Sequence, residues 1–249
     1  MSTNELKKLA AQKSVEEVKS GMILGLGTGS TFKYALEVIA GKIKSNELKD
    51  VKCVATSIKT EKSAKEYGLP LIGLNQLATG NSLDQFPVDL TIDGADEVTV
   101  GNSDPGFSGE GSAVINLIKG GGGALLREKI VAQNSKRNVI IIDETKLSDR
   151  LCKKSSLPVE VIPFAVESER RFLESLGAKV SLRNDEDGNE FITDEGNLIL
   201  DADFSEIDNP VKLDSLLNAR AGIVEHGLFL NTASVVYCGT KDGLKIFNS

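Results

Sequence analysis

The chain has 249 residues, 40% hydrophobic and 26% charged, enough for one large domain or a medium domain carrying a smaller one around a genuine core. Its formal net charge of -7 argues against a protein that wraps nucleic acid, which needs a basic face; a small phosphate stays accessible, because local amides and one or two lysines decide that. Cys53, Cys152 and Cys238 lie far apart, form no CxxC pair and predict reduced, buried thiols. No apolar run is long enough to span a membrane, and the N-terminus begins as a polar amphipathic helix, so the expected location is the cytoplasm.

Ser2 and Glu5 have capping-box spacing, and Leu6, Leu9, Ala10 and Val18 mark one apolar helix face running to Gly21. Met22-Ile-Leu-Gly-Leu26 reads as a short buried strand, and Phe32, Ala35, Leu36, Ile39 and Ile43 repeat at helical spacing after a glycine-rich turn. A strand over 51–55, a helix over 57–68 and strands over 70–74 and 88–92 continue the alternation. Residues 98–111, rich in Gly, Asn, Ser and Asp, predict a long exposed loop. A helix follows the glycines at 120–123, and Asn138-Val-Ile-Ile-Ile142 is another buried strand. The βαβα rhythm predicts an α/β fold with a doubly wound, mainly parallel sheet, whose ligands bind beyond the carboxyl ends of its strands.

The pattern changes near residue 150. Strands over 159–162, 179–182, 191–193 and 198–201, with helices over 167–176 and 213–217, suggest a second, smaller α+β domain inserted before the C-terminal strands at 233–238 and 244–247. The expected division is 1–151 plus 229–249 for a Rossmann-like catalytic domain, and 152–228 for the small one.

His226 is the single histidine, which leaves no set of histidines for a zinc site and predicts a structural or solvent-facing role. Carboxylates and lysines are then the groups left to move protons. Gly25-Leu-Gly-Thr-Gly-Ser-Thr31 follows a strand and opens a helix; it is either a phosphate cradle or a tight turn capped by Ser30 or Thr31. Asp93-Gly-Ala-Asp-Glu97 crowds carboxylates at a strand end, suiting an acid kept protonated, a cation site, or solvated turn acids. Lys119-Gly-Gly-Gly-Gly123 lets backbone amides approach an anion beside a full positive charge. Glu128 shares a helix face with Leu125 and Ala132, so it is either a desolvated general base or a surface acid paired with a neighbouring cation. Lys146, in Asp143-Glu-Thr-Lys146, is a phosphate contact or a surface lysine.

Together, and in this order, these motifs resemble the A-type ribose-5-phosphate isomerases along nearly the whole chain. Leu157-Pro-Val-Glu-Val-Ile-Pro163 and Gly196-Asn-Leu-Ile-Leu-Asp201 also match that family's pattern. The resemblance implies interconversion of ribose 5-phosphate and ribulose 5-phosphate through an enediolate in the non-oxidative branch of the pentose phosphate pathway, with no metal and no organic cofactor. It implies a substrate site of Thr28, Gly29, Ser30, Thr31, Asp93, Gly94, Ala95, Asp96, Lys119, Gly120, Gly121, Gly122 and Lys146, with Glu128 as the proton-transferring base and Asp93, Asp96 and Lys119 assisting. Lys7 or Lys8 is left as a further phosphate contact, and a homodimer or homotetramer is the implied assembly. The connection from Glu97 to Lys119 departs from the family by roughly a dozen extra residues, which a surface loop absorbs at small entropic cost. Related readings are glucosamine-6-phosphate deaminases and phosphogluconolactonases, which share the architecture, and sugar-phosphate sensor domains, which bind without turnover.

Overall fold

The computed structural model describes residues 1–77, 86–102 and 113–249. Helix α1 (Thr3–Val15) starts on the expected capping box, with Ser2 accepting the Glu5 amide and Glu5 accepting the Ser2 amide. It stops at Val15 rather than at Gly21, and Val18 is buried from the turn that follows. Then come β1 (Ile23–Leu26), α2 (Phe32–Lys44), β2 (Lys52–Ala55), α3 (Ile58–Glu66), a single turn α4 (Leu74–Leu77), β3 (Leu90–Gly94), β4 (Glu97–Asn102), β5 (Ala113–Ile118), α5 (Leu125–Gln133), β6 (Asn138–Asp143) and the two-residue β7 (Leu147–Ser148). The second part holds β8 (Leu157–Val161), α6 (Val166–Ser175), β9 (Lys179–Leu182), β10 (Leu198–Asp203), α7 (Pro210–Asn218), β11 (Ile223–His226) and β12 (Leu228–Leu230), before β13 (Val235–Thr240) and β14 (Gly243–Asn248).

The central sheet has the order β14-β13-β6-β3-β1-β2 and is parallel except for β14, which pairs antiparallel with β13 through a tight turn. Strand β6 is buried along its whole length, and its alternating side chains serve two cores. Val139 and Ile141 join the core beneath α1 and α2, whereas Ile140 and Ile142 pack with Leu117 and Phe229 on the other face. The chain passes from β1 through α2 to β2 on one side and returns to β3 on the other. That places a topological switch point between β1 and β3, where their carboxyl ends diverge and leave a crevice. An antiparallel sheet, β11-β8-β10-β9, packs with α6 and α7 around Leu157, Val159, Leu173, Leu200 and Leu217. The fold is therefore α/β, a mainly parallel central sheet with a smaller antiparallel one.

Several expectations need correction. The strand expected over 70–74 is only a bridge from Leu71 to Cys53, followed by α4. The segment at 191–193 is irregular, because Glu190 bridges Asn184 and Phe191 turns away to cover Gly123. The loop expected over 98–111 begins as strand, since β4 runs to Asn102; residues 103–111 of it lie outside the described residues. A third sheet, β12-β5-β4-β7, was not anticipated. All three cysteines are buried and free, and His226 is buried rather than solvent-facing. Among the described residues, no helix is long and apolar enough to cross a membrane.

Candidate active site

At the switch point, the turns after β1 and β3, the glycine run before α5 and the turn after β6 meet around an open pocket. Its wall contains Thr28, Gly29, Ser30, Thr31, Gly94, Ala95, Asp96, Lys119, Gly120, Gly122, Glu128 and Lys146. Asp93 and Gly121 stand directly behind it, bonded to wall residues. The structure thus gathers, on or directly behind this wall, residues 28–31, 93–96 and 119–122, Glu128 and Lys146, while Glu97 of the same motifs lies away from it.

The β1 turn is held by Asp93. Its Oδ1 accepts the amides of Thr28 at 2.9 Å and Gly94 at 2.7 Å. Gly27 is required here, because a Cβ at that position would stand 2.3 Å from the same oxygen. Thr31 occupies the cap position of α2 but makes no side-chain cap bond, leaving the amide end of the helix open to an anion. Lys7, from α1, donates to Ser30 Oγ at 2.8 Å, while the Lys8 ammonium sits over the Tyr34 ring, so Lys7 is the one directed at the turn. Lys146 borders the pocket with no ion-pair partner among the described residues.

Deeper in the pocket one cation stands among three carboxylates. Lys119, only 4% exposed, places Nζ 3.1 Å from Asp93 Oδ2, 3.4 Å from Glu128 Oε2 and 2.6 Å from the Gly94 carbonyl, to which it donates. Burial alone would push its ammonium down, but Asp93 and Glu128 outweigh that and hold it well above the ordinary lysine range. Glu128 is 5% exposed, and its Oε2 faces the Lys119 ammonium at 3.4 Å with no further donor among the described residues. Burial pushes its carboxyl up to about 8; Lys119 opposes this, and Asp93 and Asp96 reinforce it. A carboxylate with a free lone pair and a raised pKa is a competent proton acceptor near neutrality. Asp96 faces the pocket and its Oδ2 accepts the Gly121 amide at 2.7 Å. A side chain at 121 would bring its Cβ to 2.7 Å from that carboxylate, which explains a glycine there.

Some supporting groups lie outside the motifs that the sequence singles out. Thr28 Oγ1 lies within 3.0 Å of the hydroxyls of Thr56, Ser57 and Thr60, which fix its rotamer. These follow β2 as Thr56-Ser57, a hydroxyl pair at a strand end that could have been noticed. Arg183, paired with Asp201, donates to the Gly120 and Gly121 carbonyls at 2.8 and 3.2 Å, so the antiparallel part of the chain buttresses the glycine run.

A family model described as ribose 5-phosphate isomerase A (phosphoriboisomerase A) matches residues 52–243. The chain belongs to the ribose 5-phosphate isomerase A family. It is 50% identical to the ribose-5-phosphate isomerase A of Desulfatibacillum aliphaticivorans over 98% of this chain and 97% of that one. A solved ribose 5-phosphate isomerase from Plasmodium falciparum superposes with a TM-score of 0.86 at 37% identity, covering 99% of both chains. A second solved isomerase, in complex with phospho-erythronic acid, covers both chains fully with a TM-score of 0.87 and 36% identity. The likeness runs through both the parallel and the antiparallel parts, so the family's whole architecture is present.

Proposed function

We propose that this chain interconverts D-ribose 5-phosphate and D-ribulose 5-phosphate, with Glu128 carrying the proton between C2 and C1. The observation that carries this reading is the buried Glu128 carboxylate, facing the pocket with its Oε2 3.4 Å from the Lys119 ammonium and against no further donor among the described residues. In the open-chain aldose the C2 proton is weakly acidic, and its removal places negative charge on the C1 oxygen. Lys119 and the amides of the glycine run would stabilise that charge, and Glu128 would return the proton to C1 as the ketose forms. Asp93 has both oxygens engaged, Oδ1 by amides and Oδ2 by Lys119, which favours giving ring opening and hydroxyl proton transfer to Asp96. Ser30, Thr31 and Lys146 would hold the phosphate, with Lys7 behind Ser30, so that the reacting carbons meet their base as in a unimolecular step.

This scheme asks nothing of a metal or an organic cofactor. We also assign the catalytic work to a unit of 1–151 plus 229–249 and a bracing role to 152–228, and we place the protein in the cytoplasm as a homodimer or homotetramer. The deciding experiment compares wild type with Glu128→Gln in ribose 5-phosphate turnover after EDTA treatment. Activity that survives chelation and falls by about 10³-fold in the variant, with sugar-phosphate binding retained, supports the scheme. Near-normal turnover by the variant removes Glu128 from the role of base. A folded wild type that binds the sugar phosphate but does not turn it over points to a sensor, and turnover of hexose phosphates instead points to the deaminase or lactonase reading.

A further inference from the structure

Glu97 closes the Asp-Gly-Ala-Asp-Glu motif, yet it does not itself line the pocket. It is fully buried, with no exposed surface. Its carboxylate is instead enclosed by a loop on the far side of the motif. Oε2 accepts the amides of Cys152 at 2.9 Å and Ser155 at 3.3 Å, and Oε1 accepts those of Lys153 and Lys154, each at 3.2 Å. Four successive amides converging on one carboxylate form a concave anion nest whose ligand is supplied by the chain itself. Cys152 holds a left-handed backbone with φ of 70°, rare for a side chain with a Cβ, and its amide is one of those the carboxylate engages.

The loop reaches the pocket at two further points. Ser155 Oγ donates to the Asp96 carbonyl at 3.4 Å, and Lys154 Nζ donates to the carbonyls of Thr145, at 2.8 Å, and Leu147. Those two carbonyls flank Lys146. On its other side, Glu97 pairs with Ile118 across β4 and β5, so the residue after its strand partner is Lys119. One caged carboxylate therefore ties together the backbone beneath Asp96, Lys119 and Lys146.

We infer that Glu97 and Lys154 are positioning residues for the reaction: Glu97, through its amide cage, sets Asp96 and Lys119, and Lys154 sets the phosphate-facing turn at Lys146. This rests on the isomerase reading of the pocket. The two arms predict different kinetic signatures. Glu97→Gln replaces one accepting oxygen with an NH2 that faces amides, so the floor shifts and the proton-transfer groups lose alignment; kcat falls by about 10- to 100-fold with KM within about twofold. Lys154→Met releases the 145–147 turn at an exposed position and leaves the cage amides in place, so KM for ribose 5-phosphate rises several-fold and kcat is nearly unchanged.

The test is steady-state kinetics of wild type, Glu97→Gln, Glu97→Asp and Lys154→Met, with rates scaled to the folded fraction measured by circular dichroism. The opposite kcat and KM signatures are the expected result, with Glu97→Asp, which keeps the charge, recovering part of the lost kcat. If Glu97→Gln does not fold, Lys154→Met still decides through its KM. Unchanged constants per folded molecule in both variants, or an unchanged KM in Lys154→Met, would overturn the assignment while wild-type turnover stands. Absence of wild-type turnover would instead bring down the isomerase reading and this assignment with it.

Discussion

Glu97 and Glu128 are both buried and both adjoin Lys119, the first through the strand register and the second through a 3.4 Å ion pair. Their surroundings are opposite. Four backbone amides satisfy Glu97, whereas among the described residues Glu128 Oε2 meets only the Lys119 ammonium, at 3.4 Å, and the carboxyl is pushed up to about 8, by burial above all. A buried carboxylate with saturated lone pairs holds structure in place. One left with spare lone pairs and a raised pKa, facing a pocket, is suited to accept a proton. The same contrast separates the two parts of the chain. In the antiparallel part, Glu160 is bonded by Thr193 and Asn197, and Glu169 is gripped by Arg220 through two bonds; neither lies on the pocket wall at the switch point.

The sharpest way to break this contrast is to remove the shared cation. If Lys119 is the donor to the developing oxyanion, Lys119→Met should lower turnover by about 10³-fold. It should also cost about 3–5 kcal/mol in a urea melt, because Asp93 and Glu128 are left buried without it. Retention of even a tenth of wild-type kcat would show that another group carries the charge.

The pH profile comes next. If Glu128 must be ionised, kcat/KM should rise with pH along a limb whose midpoint is shifted from the ordinary 4.5 toward about 8. Stability should move the other way. The folded state keeps a proton that the unfolded chain releases above 4.5, so stability declines between those two values and levels off beyond the upper one. Glu128→Gln should abolish that decline in melts recorded across the window. A kinetic limb near 4.5 would place Glu128 in a far more solvated setting than its burial suggests.

Gly121→Ala should act more mildly, lowering kcat about tenfold as Asp96 is displaced by the new Cβ at 2.7 Å, with KM for the phosphate end nearly constant. An unaltered kcat would mean that Asp96 adjusts freely and does not need its Gly121 bond. The smallest effect is expected far from the pocket. Asn209 caps α7 by accepting the Lys212 amide at 2.9 Å, and Asn209→Ala should cost about 1 kcal/mol in thermal stability with kinetics unchanged. A kinetic effect there would show that the antiparallel part transmits motion to the site, beyond the Arg183 contacts with the glycine run.

Much of the architecture was legible in the chain itself. The strands at β1, β2, β3 and β6 announce themselves as short apolar runs, and α2 by its helical spacing, because their burial demands a pattern that neighbouring residues cannot disguise. The third sheet did not announce itself. β4 carries Gly101 and Asn102, β5 lies between two glycine-rich stretches, and β12 has three residues directly after Gly227, so local composition argued for loops. Pairing across the sheet stabilises them, and pairing is a long-range term that a local reading does not contain.

The site divides in the same way. Sequence by itself determined which groups are available: one histidine too isolated for a metal, glycine turns at strand ends, a lysine before a glycine run, and acids in a motif order that resembles a single family. Only the tertiary structure decided their states. It separated Asp93, bound on both oxygens, from Asp96 on the pocket wall, set Lys7 rather than Lys8 against Ser30, and buried Glu128 beside Lys119 while caging Glu97 in amides. Residue type sets what a group can do, but solvation and hydrogen-bond partners set its pKa and orientation, and those are supplied by segments distant in the chain.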